Sequence, residues 1–172
     1  MSVLSANQIL ITNEDDQCVE EYNLNTGEIS PFAAACDGTA GSSYTGHRKN
    51  DVSMDVPMGV LYDGDQKVYV TIYYAMVVLS IDTTTDQSSV LLTTTSPPRL
   101  LGYGQNSDIV HITFNNGFGA IKDGSVEYII GTSGQIMGNA IGVLSTTEML
   151  YPLAFVEVDN GTWVVADRTN HR

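Results

Sequence analysis

Apolar and polar residues alternate along this chain in short blocks, and helical spacing is almost absent. Val68-Tyr69-Val70-Thr71-Ile72 is one such block, Ile109-Val110-His111-Ile112 is another, and Trp163-Val164-Val165 is a third. Gly, Asn, Asp or Pro interrupts the blocks at intervals of about ten residues, as in proteins built from many short antiparallel strands. The pattern therefore predicts an all-β protein.

Three dipeptides between the blocks are typical of tight hairpin turns: Asp63-Gly64, Asp123-Gly124 and Asn160-Gly161. Glycine adopts the positive φ that two-residue hairpin turns require, and Asn or Asp tolerates it. We therefore predict a two-residue turn between antiparallel strands at each of these positions.

The blocks recur in one order, which indicates a repeated unit. Three segments begin at or next to a proline, continue with small or apolar residues, and lead through a polar turn into a β-rich second strand. They start at Val56-Pro57, Pro98-Arg99 and Tyr151-Pro152, and their second strands are predicted at 68–72, 109–113 and 163–166. Proline is tolerated at a strand start because no ladder hydrogen bond is lost there.

Third and fourth strands complete the predicted unit. Third strands are predicted at 77–81 and 119–121, and fourth strands at 89–92 and 126–130. The N-terminal part fits the same frame from its second strand onward, with strands at 8–12, 18–23 and 29–32.

Four-stranded units in series must bury both sheet faces, and radial packing is one common way to do so. We predict an arc of a β-propeller made of four-stranded antiparallel blades, with a β-sandwich as the alternative. The predicted parts are an incomplete blade at 1–35, blades at 56–95 and 97–131, an incomplete blade at 151–172, and inter-blade loops at 36–55 and 132–150.

Composition narrows the choice of partners. The 172 residues are 42% hydrophobic, and their 20 acidic side chains against seven Lys and Arg give a net charge of −13. Such a surface repels phosphate, so nucleic acid and anionic membranes are not predicted as partners, whereas cations and basic proteins are natural ones. Membrane insertion is not predicted either, because no stretch approaches the roughly 18 consecutive apolar residues that a membrane helix needs. The acidity also has a plainer interpretation, which is solubility.

The chain has two cysteines, Cys18 and Cys36. In a reducing compartment they would behave as small apolar residues. In an oxidising one they could form a disulfide, which would stabilise the fold by about 3 kcal/mol in the chain-entropy model. Their spacing fits neither a CxxC redox motif nor a zinc site.

The closing run from Asn160 to Arg172, with Trp163-Val164-Val165-Ala166-Asp167 followed by Arg168-Thr169-Asn170-His171-Arg172, resembles an NHL repeat of the extracellular, invertebrate type. Tyr151-Pro152-Leu153-Ala154 is similar to the strand that precedes it in that family, and Phe32-Ala33-Ala34-Ala35-Cys36 to the fourth strand. The middle units keep the strand pattern but carry Tyr73-Tyr74-Ala75 and Asn115-Asn116-Gly117 in place of the polar motif. The resemblance implies a β-propeller, an extracellular or secreted location, and a disulfide between Cys18 and Cys36.

Aligned on this repeat, both ends of the chain fall inside a blade. We expect either a piece of a longer protein or copies that together complete a ring, and we favour the piece.

Connections between second and third strands lie on one rim of a propeller, where binding residues usually sit. The predicted rim residues are Glu14, Asp15, Asp16, Tyr73, Tyr74, Asn115, Asn116, Arg168, Asn170 and His171. The three consecutive acids could attract calcium, but the EF-hand spacing is absent and a solvated acidic turn is the simpler interpretation.

The long loop at 36–55 is predicted to contact a partner through Tyr44, His47, Arg48 and Lys49. Asn160-Gly161-Thr162 is a glycosylation sequon at Asn160. The histidines His47, His111 and His171 form no recognisable zinc or catalytic set, and His111 is predicted to pack in the core.

The sequence therefore predicts a non-enzymatic extracellular recognition or scaffolding module, without a cofactor, that binds a protein partner or further copies of itself through the rim. A lectin-like, glycan-binding propeller is the alternative. The third possibility is a hydrolase or lyase whose site lies mostly outside this segment.

Overall fold

A computed structural model describes residues 1–104, 109–131, 148–159 and 161–172, which form fifteen β-strands and no helix. The strands are β1 Ser2–Ser5, β2 Gln8–Asn13, β3 Cys18–Asn23, β4 Ile29–Ala33, β5 Gly46–His47, β6 Pro57–Tyr62, β7 Lys67–Ile72, β8 Val77–Asp82, β9 Gln87–Thr93, β10 Pro98–Tyr103, β11 Val110–Phe114, β12 Gly117–Lys122, β13 Ser125–Gly131, β14 Pro152–Asp159 and β15 Thr162–Asp167.

The strands pair antiparallel in four sheets, with orders β1-β2-β3-β4, β5-β9-β8-β7-β6, β10-β11-β12-β13 and β14-β15. Three of these sheets contain four consecutive strands joined as a meander. The predicted all-β class is confirmed. The arrangement of the sheets as a propeller arc stays a prediction.

Two local expectations were wrong. Asp63-Gly64 does not form a two-residue turn, because four residues separate β6 from β7 and the Asp63 carboxylate accepts hydrogen bonds from the backbone N–H groups of Asp65, Gln66 and Lys67. The segment 36–55 is not only a loop, because β5 lies within it and pairs with the edge of β9. By contrast, Asp123-Gly124 forms the expected turn, with φ of 50° and 73°.

Residues 1–93 form one compact unit, called unit 1 below. Its core is mainly aliphatic, and β7 contributes the fully buried side chains of Val68, Val70 and Ile72. Each such side chain contributes about 1.5–3 kcal/mol when removed from water. Strand β6 packs against β1 and β2, and the Thr12 hydroxyl donates to the Met58 carbonyl at 3.1 Å.

Residues 94–172 form a second compact unit, unit 2, whose core is aromatic. The His111 ring lies 4.2 Å from Trp163 and 5.7 Å from Phe118 between ring centroids, and Phe155 lies 4.8 Å from Phe118. The prediction that His111 packs in the core is confirmed, and burial lowers the pKa of its imidazole. None of the described elements is an apolar helix long enough to cross a membrane.

Candidate binding site on unit 1

A disulfide joins Cys18 to Cys36, with an S–S distance of 2.04 Å and a Cα separation of 5.0 Å. The pairing predicted from the resemblance is confirmed. Cys18 begins β3 and Cys36 follows β4, so the bond fixes the point at which the long loop leaves the first sheet.

The middle of the loop is fastened to the two sheets of unit 1. Arg48 forms an ion pair with Asp86, and the guanidinium lies 4.1 Å from the centroid of the Phe32 ring. His47 Nε2 lies 2.8 Å from the same carboxylate, and the Ala34 backbone N–H donates to the Arg48 carbonyl at 2.8 Å. These side chains were predicted to contact a partner, but they are engaged within the chain.

The loop then turns back on itself. Ser43 and Ser53 face each other, with the Ser53 N–H donating to the Ser43 carbonyl at 2.8 Å, and the Gly41 N–H donates to the Met54 carbonyl at 2.9 Å. A Cβ atom on Gly41 would overlap the Ser53 side chain, so this close approach requires glycine.

One residue links two of the predicted rim turns. The Val56 N–H donates to Gln17 Oε1 at 2.6 Å, and the Val56 carbonyl accepts from the Tyr73 N–H at 2.9 Å. The turn between β2 and β3 and the turn between β7 and β8 are therefore held next to each other at one end of unit 1.

A cleft of about 330 Å³ lies between the loop and the second of these turns. We call it the tyrosine cleft. Its lining residues are Ala40, Gly41, Ser42, Tyr44, Asp55, Tyr74 and Ala75. The structure thus brings Tyr44 of the predicted partner loop together with Tyr74 of the predicted rim.

Aromatic rings and one carboxylate give the tyrosine cleft its chemistry. Tyr74 is 65% exposed, and its ring meets that of Tyr73 edge to face with centroids 5.2 Å apart. Burial raises the pKa of the Tyr44 phenol, and the negative charge of Asp55 raises it further. The cleft therefore combines an accessible ring with a negative potential.

The acidic turn Glu14-Asp15-Asp16 is exposed, as predicted for a rim turn. Asp16 accepts a hydrogen bond from the Asn13 side chain at 2.8 Å. In the described parts of the chain, the one set of three candidate metal ligands within 4.8 Å of one another is Cys18, Glu20 and Cys36, of which the two sulfurs are in the disulfide. The three acids do not converge on a common point.

The predicted rim residues of unit 2 divide into accessible and internal ones. Arg168 and His171 are exposed. Asn116 is fully buried and accepts from the Ser96 hydroxyl at 2.6 Å, while Asn115 accepts from Arg99 Nε at 2.7 Å. Burial places the Asn116 amide out of reach of a rim ligand.

Two residues of the polar motif after β15 donate hydrogen bonds to the carboxylate of Asp167. This carboxylate is 2% exposed and accepts from the Asn170 side chain at 2.7 Å and from Arg172 Nε at 3.2 Å. It also accepts from the Leu150 N–H at 2.9 Å. Asn170, predicted as a binding residue, therefore closes the turn after β15.

Lys49, the residue after Arg48, is exposed. Asn160, the predicted glycosylation site, lies outside the described residues. Sequence reasoning missed Asp55 and the backbone wall at 40–42, because an isolated acid ahead of a proline strand and a run of small residues carry no periodic signal.

No family model matches this chain, and no curated protein matches it either. Among solved structures, the fold is similar to that of an auxiliary nutrient binding protein from Bacteroides thetaiotaomicron VPI-5482, with a TM-score of 0.58 and 13% sequence identity. The likeness covers 97% of this chain and 51% of that protein, so the chain spans about half of its length. At this identity, what the two proteins share is the fold.

Proposed function

We propose that this chain is a non-enzymatic recognition module of an extracellular protein, a propeller arc of NHL-like units that binds a protein partner through its rim turns. The tyrosine cleft carries the proposal. It lies between the long loop and the turn that joins β7 to β8, and it offers an exposed ring together with an acid.

The loop that forms one wall of the cleft is held in place before any ligand arrives. The disulfide fixes one end of it, and the Arg48–Asp86 ion pair holds its middle. A wall that is ordered in advance lowers the entropic cost of binding, which favours a recognition role. The disulfide also suits the oxidising conditions outside the cell.

The structural neighbour is described as a nutrient binding protein. Folds of one class serve many functions, so the proposal rests on the cleft and not on that likeness.

Carbohydrate binding is the second candidate, because the exposed face of Tyr74 offers the apolar ring on which a sugar could stack. A free oligosaccharide would displace the bound ligand from a lectin, whereas it would not displace the partner from a protein-binding module.

Capture from native extracellular material tests the proposal. The immobilised chain is compared with Tyr74→Ala and with the matched variant Tyr22→Ala, whose partly exposed ring lies on β3 at the opposite end of the strand from the rim turn. We expect Tyr74→Ala to lose most of the captured protein and Tyr22→Ala to retain it. Equal capture by all three proteins would overturn the proposal, and displacement by oligosaccharides would favour the lectin.

A further inference from the structure

The carboxylate of Asp55 stands apart from every comparable acid in unit 1. Six carboxylates of this unit are partly buried, and five of them accept a hydrogen bond or form an ion pair within the chain. Those five are Glu20, Glu21, Asp63, Asp82 and Asp86. Asp55 makes no hydrogen bond and no ion pair with any described residue, although it lines the tyrosine cleft.

A partly buried charge without a partner is costly, because it loses part of its hydration and gains nothing in return. Among the described residues, no Lys, Arg or His forms an ion pair with Asp55, and Arg48 of the same loop is paired with Asp86 instead. A positively charged group brought by a ligand would supply the missing partner. A neutral ligand would instead bury Asp55 further and leave it unpaired.

The aromatic side of the cleft favours the same kind of ligand. A cation within about 6 Å of an aromatic ring centroid is attracted to the ring face, and tyrosine is among the rings that do this. Tyr74 offers such a ring at 65% exposure, and its edge-to-face contact with Tyr73 holds it in position. The cleft volume of about 330 Å³ is at the small end of ligand sites, which fits one side chain better than a large ligand.

We infer that the tyrosine cleft binds a cationic side chain, Arg or Lys, of the protein partner, with the charge lying between Asp55 and the ring of Tyr74. This inference rests on the proposed recognition function and names the chemical group that is recognised. The net charge of −13 adds a long-range attraction for the same class of partner.

Nuclear magnetic resonance titration of the full chain tests the inference, because it detects weak binding and locates it. The probes are acetyl-Gly-Arg-Gly-amide and acetyl-Gly-Lys-Gly-amide, each with a neutral counterpart of nearly the same shape that contains citrulline or acetyl-lysine. We expect the two cationic peptides to shift the amide signals of Gly41, Ser42, Tyr74 and Ala75, and the neutral ones to leave them unchanged.

Three variants make the test specific. Asp55→Asn and Tyr74→Ala should each weaken cationic peptide binding by about five-fold. Asp65→Asn removes an exposed acid in the turn between β6 and β7 and should leave binding unchanged. A dispersed spectrum with changes confined to the mutated site shows that each variant is folded.

Several results would overturn the inference. Shifts spread over the acidic surface, equal binding of the neutral peptides, equal losses for Asp55→Asn and Asp65→Asn, or no shift in the cleft would each do so. None of these results would overturn the recognition proposal, which is tested separately by whether Tyr74→Ala loses most of the captured native protein. A failure of that capture test together with specific peptide shifts would instead leave a cation-binding site whose partner is not a protein in that material.

Discussion

At the scale of single residues, the electrostatic effect of Asp55 on Tyr44 gives a way to test the tyrosine cleft without a ligand. Burial is the larger cause of the raised pKa of Tyr44, and the Asp55 charge is the smaller one. We predict that Asp55→Asn lowers the pKa of Tyr44 toward its ordinary value but not all the way. Absorbance titration of tyrosinate, with Tyr44→Phe subtracted to isolate this ring, measures the change.

The same shift has a consequence for stability. Because the folded chain holds the Tyr44 proton more tightly than the unfolded chain, the stability due to this group is intact below the ordinary pKa of 10.0 and is lost as the pH rises through the folded value. Asp55→Asn should reduce that alkaline loss. An unchanged Tyr44 pKa in this variant would show that the two groups do not interact.

A second residue-scale prediction concerns Asp82, which begins the turn between β8 and β9. The Thr84 hydroxyl and the Thr85 backbone N–H donate to its carboxylate and lower its pKa from 3.8 to about 2. Since the folded pKa is depressed, the stability that this group contributes is present above pH 3.8 and disappears as the pH falls toward about 2.

We predict that Thr84→Ala raises the pKa of Asp82, because it removes the Thr84 hydroxyl, the donor that lowers this pKa most. Thr85→Ala is the matched control, since it keeps the Thr85 backbone donor and should shift the pKa less. Carboxyl carbon chemical shifts followed against pH measure both variants. Equal shifts in the two variants would contradict the assigned order of the donors.

At the scale of elements, the disulfide is predicted to stabilise unit 1. It closes a loop with a sequence separation of 18 residues, for which the chain-entropy model gives about 3 kcal/mol. Reduction should therefore lower the free energy of unfolding by about that amount, as measured by urea denaturation with and without a reductant. The control is the Cys18→Ala/Cys36→Ala variant, whose urea midpoint should be the same with and without the reductant. An unchanged urea midpoint on reduction of the wild type would refute the prediction.

The middle of the long loop allows a comparison of neighbouring cations. Arg48 pairs with Asp86 and covers the Phe32 ring, whereas Lys49 is exposed. We predict that Arg48→Ala costs about 1–2 kcal/mol of stability and that Lys49→Ala changes it by less than about 0.5 kcal/mol. Urea denaturation of both variants decides this, and equal effects would mean that the loop is not anchored at Arg48.

Most strands could be predicted from the sequence because their alternation is regular. The predicted strands at 8–12 and 77–81, for example, differ from β2 and β8 by one residue at one end. Strand β5 could not be found, since two residues that include a glycine carry no period. The prediction of a two-residue turn at Asp63-Gly64 was wrong because the Asp63 carboxylate accepts hydrogen bonds from three successive backbone N–H groups. The Asp-Gly dipeptide alone does not distinguish this longer turn from a two-residue one.

At the scale of the whole molecule, the candidate site was only half predictable. Tyr44 and Tyr74 could be predicted as binding residues from their positions in a loop and a turn. That they line the same cleft depends on how the loop folds back, which the sequence does not show. That path is set by backbone bonds such as Gly41 to Met54 and Val56 to Tyr73, which link positions far apart without a sequence period. Likewise, Asn116 lies in an Asn-Asn-Gly sequence that is typical of an exposed turn, but it is fully buried and accepts a hydrogen bond from Ser96.

The charge of the molecule separates long-range attraction from contact in the cleft. Glu14 and Asp15 are exposed on the turn that Gln17 ties to Val56, the residue after Asp55, so they contribute to the field around the cleft without lining it. Salt screens exposed charges over about 10 Å at 0.1 M and about 3 Å at 1 M. We therefore expect the affinity for acetyl-Gly-Arg-Gly-amide to fall as sodium chloride rises through this range.

The variants should respond to salt in different ways. Glu14→Gln/Asp15→Asn should bind more weakly than the wild type at about 0.05 M salt and equally at about 1 M, because only the screened part of the attraction is lost. Asp55→Asn should be weaker at every salt concentration, because it removes a contact inside the cleft. Peptide titrations at several salt concentrations measure both, and parallel curves for the two variants would show that Asp55 acts only as one more surface charge.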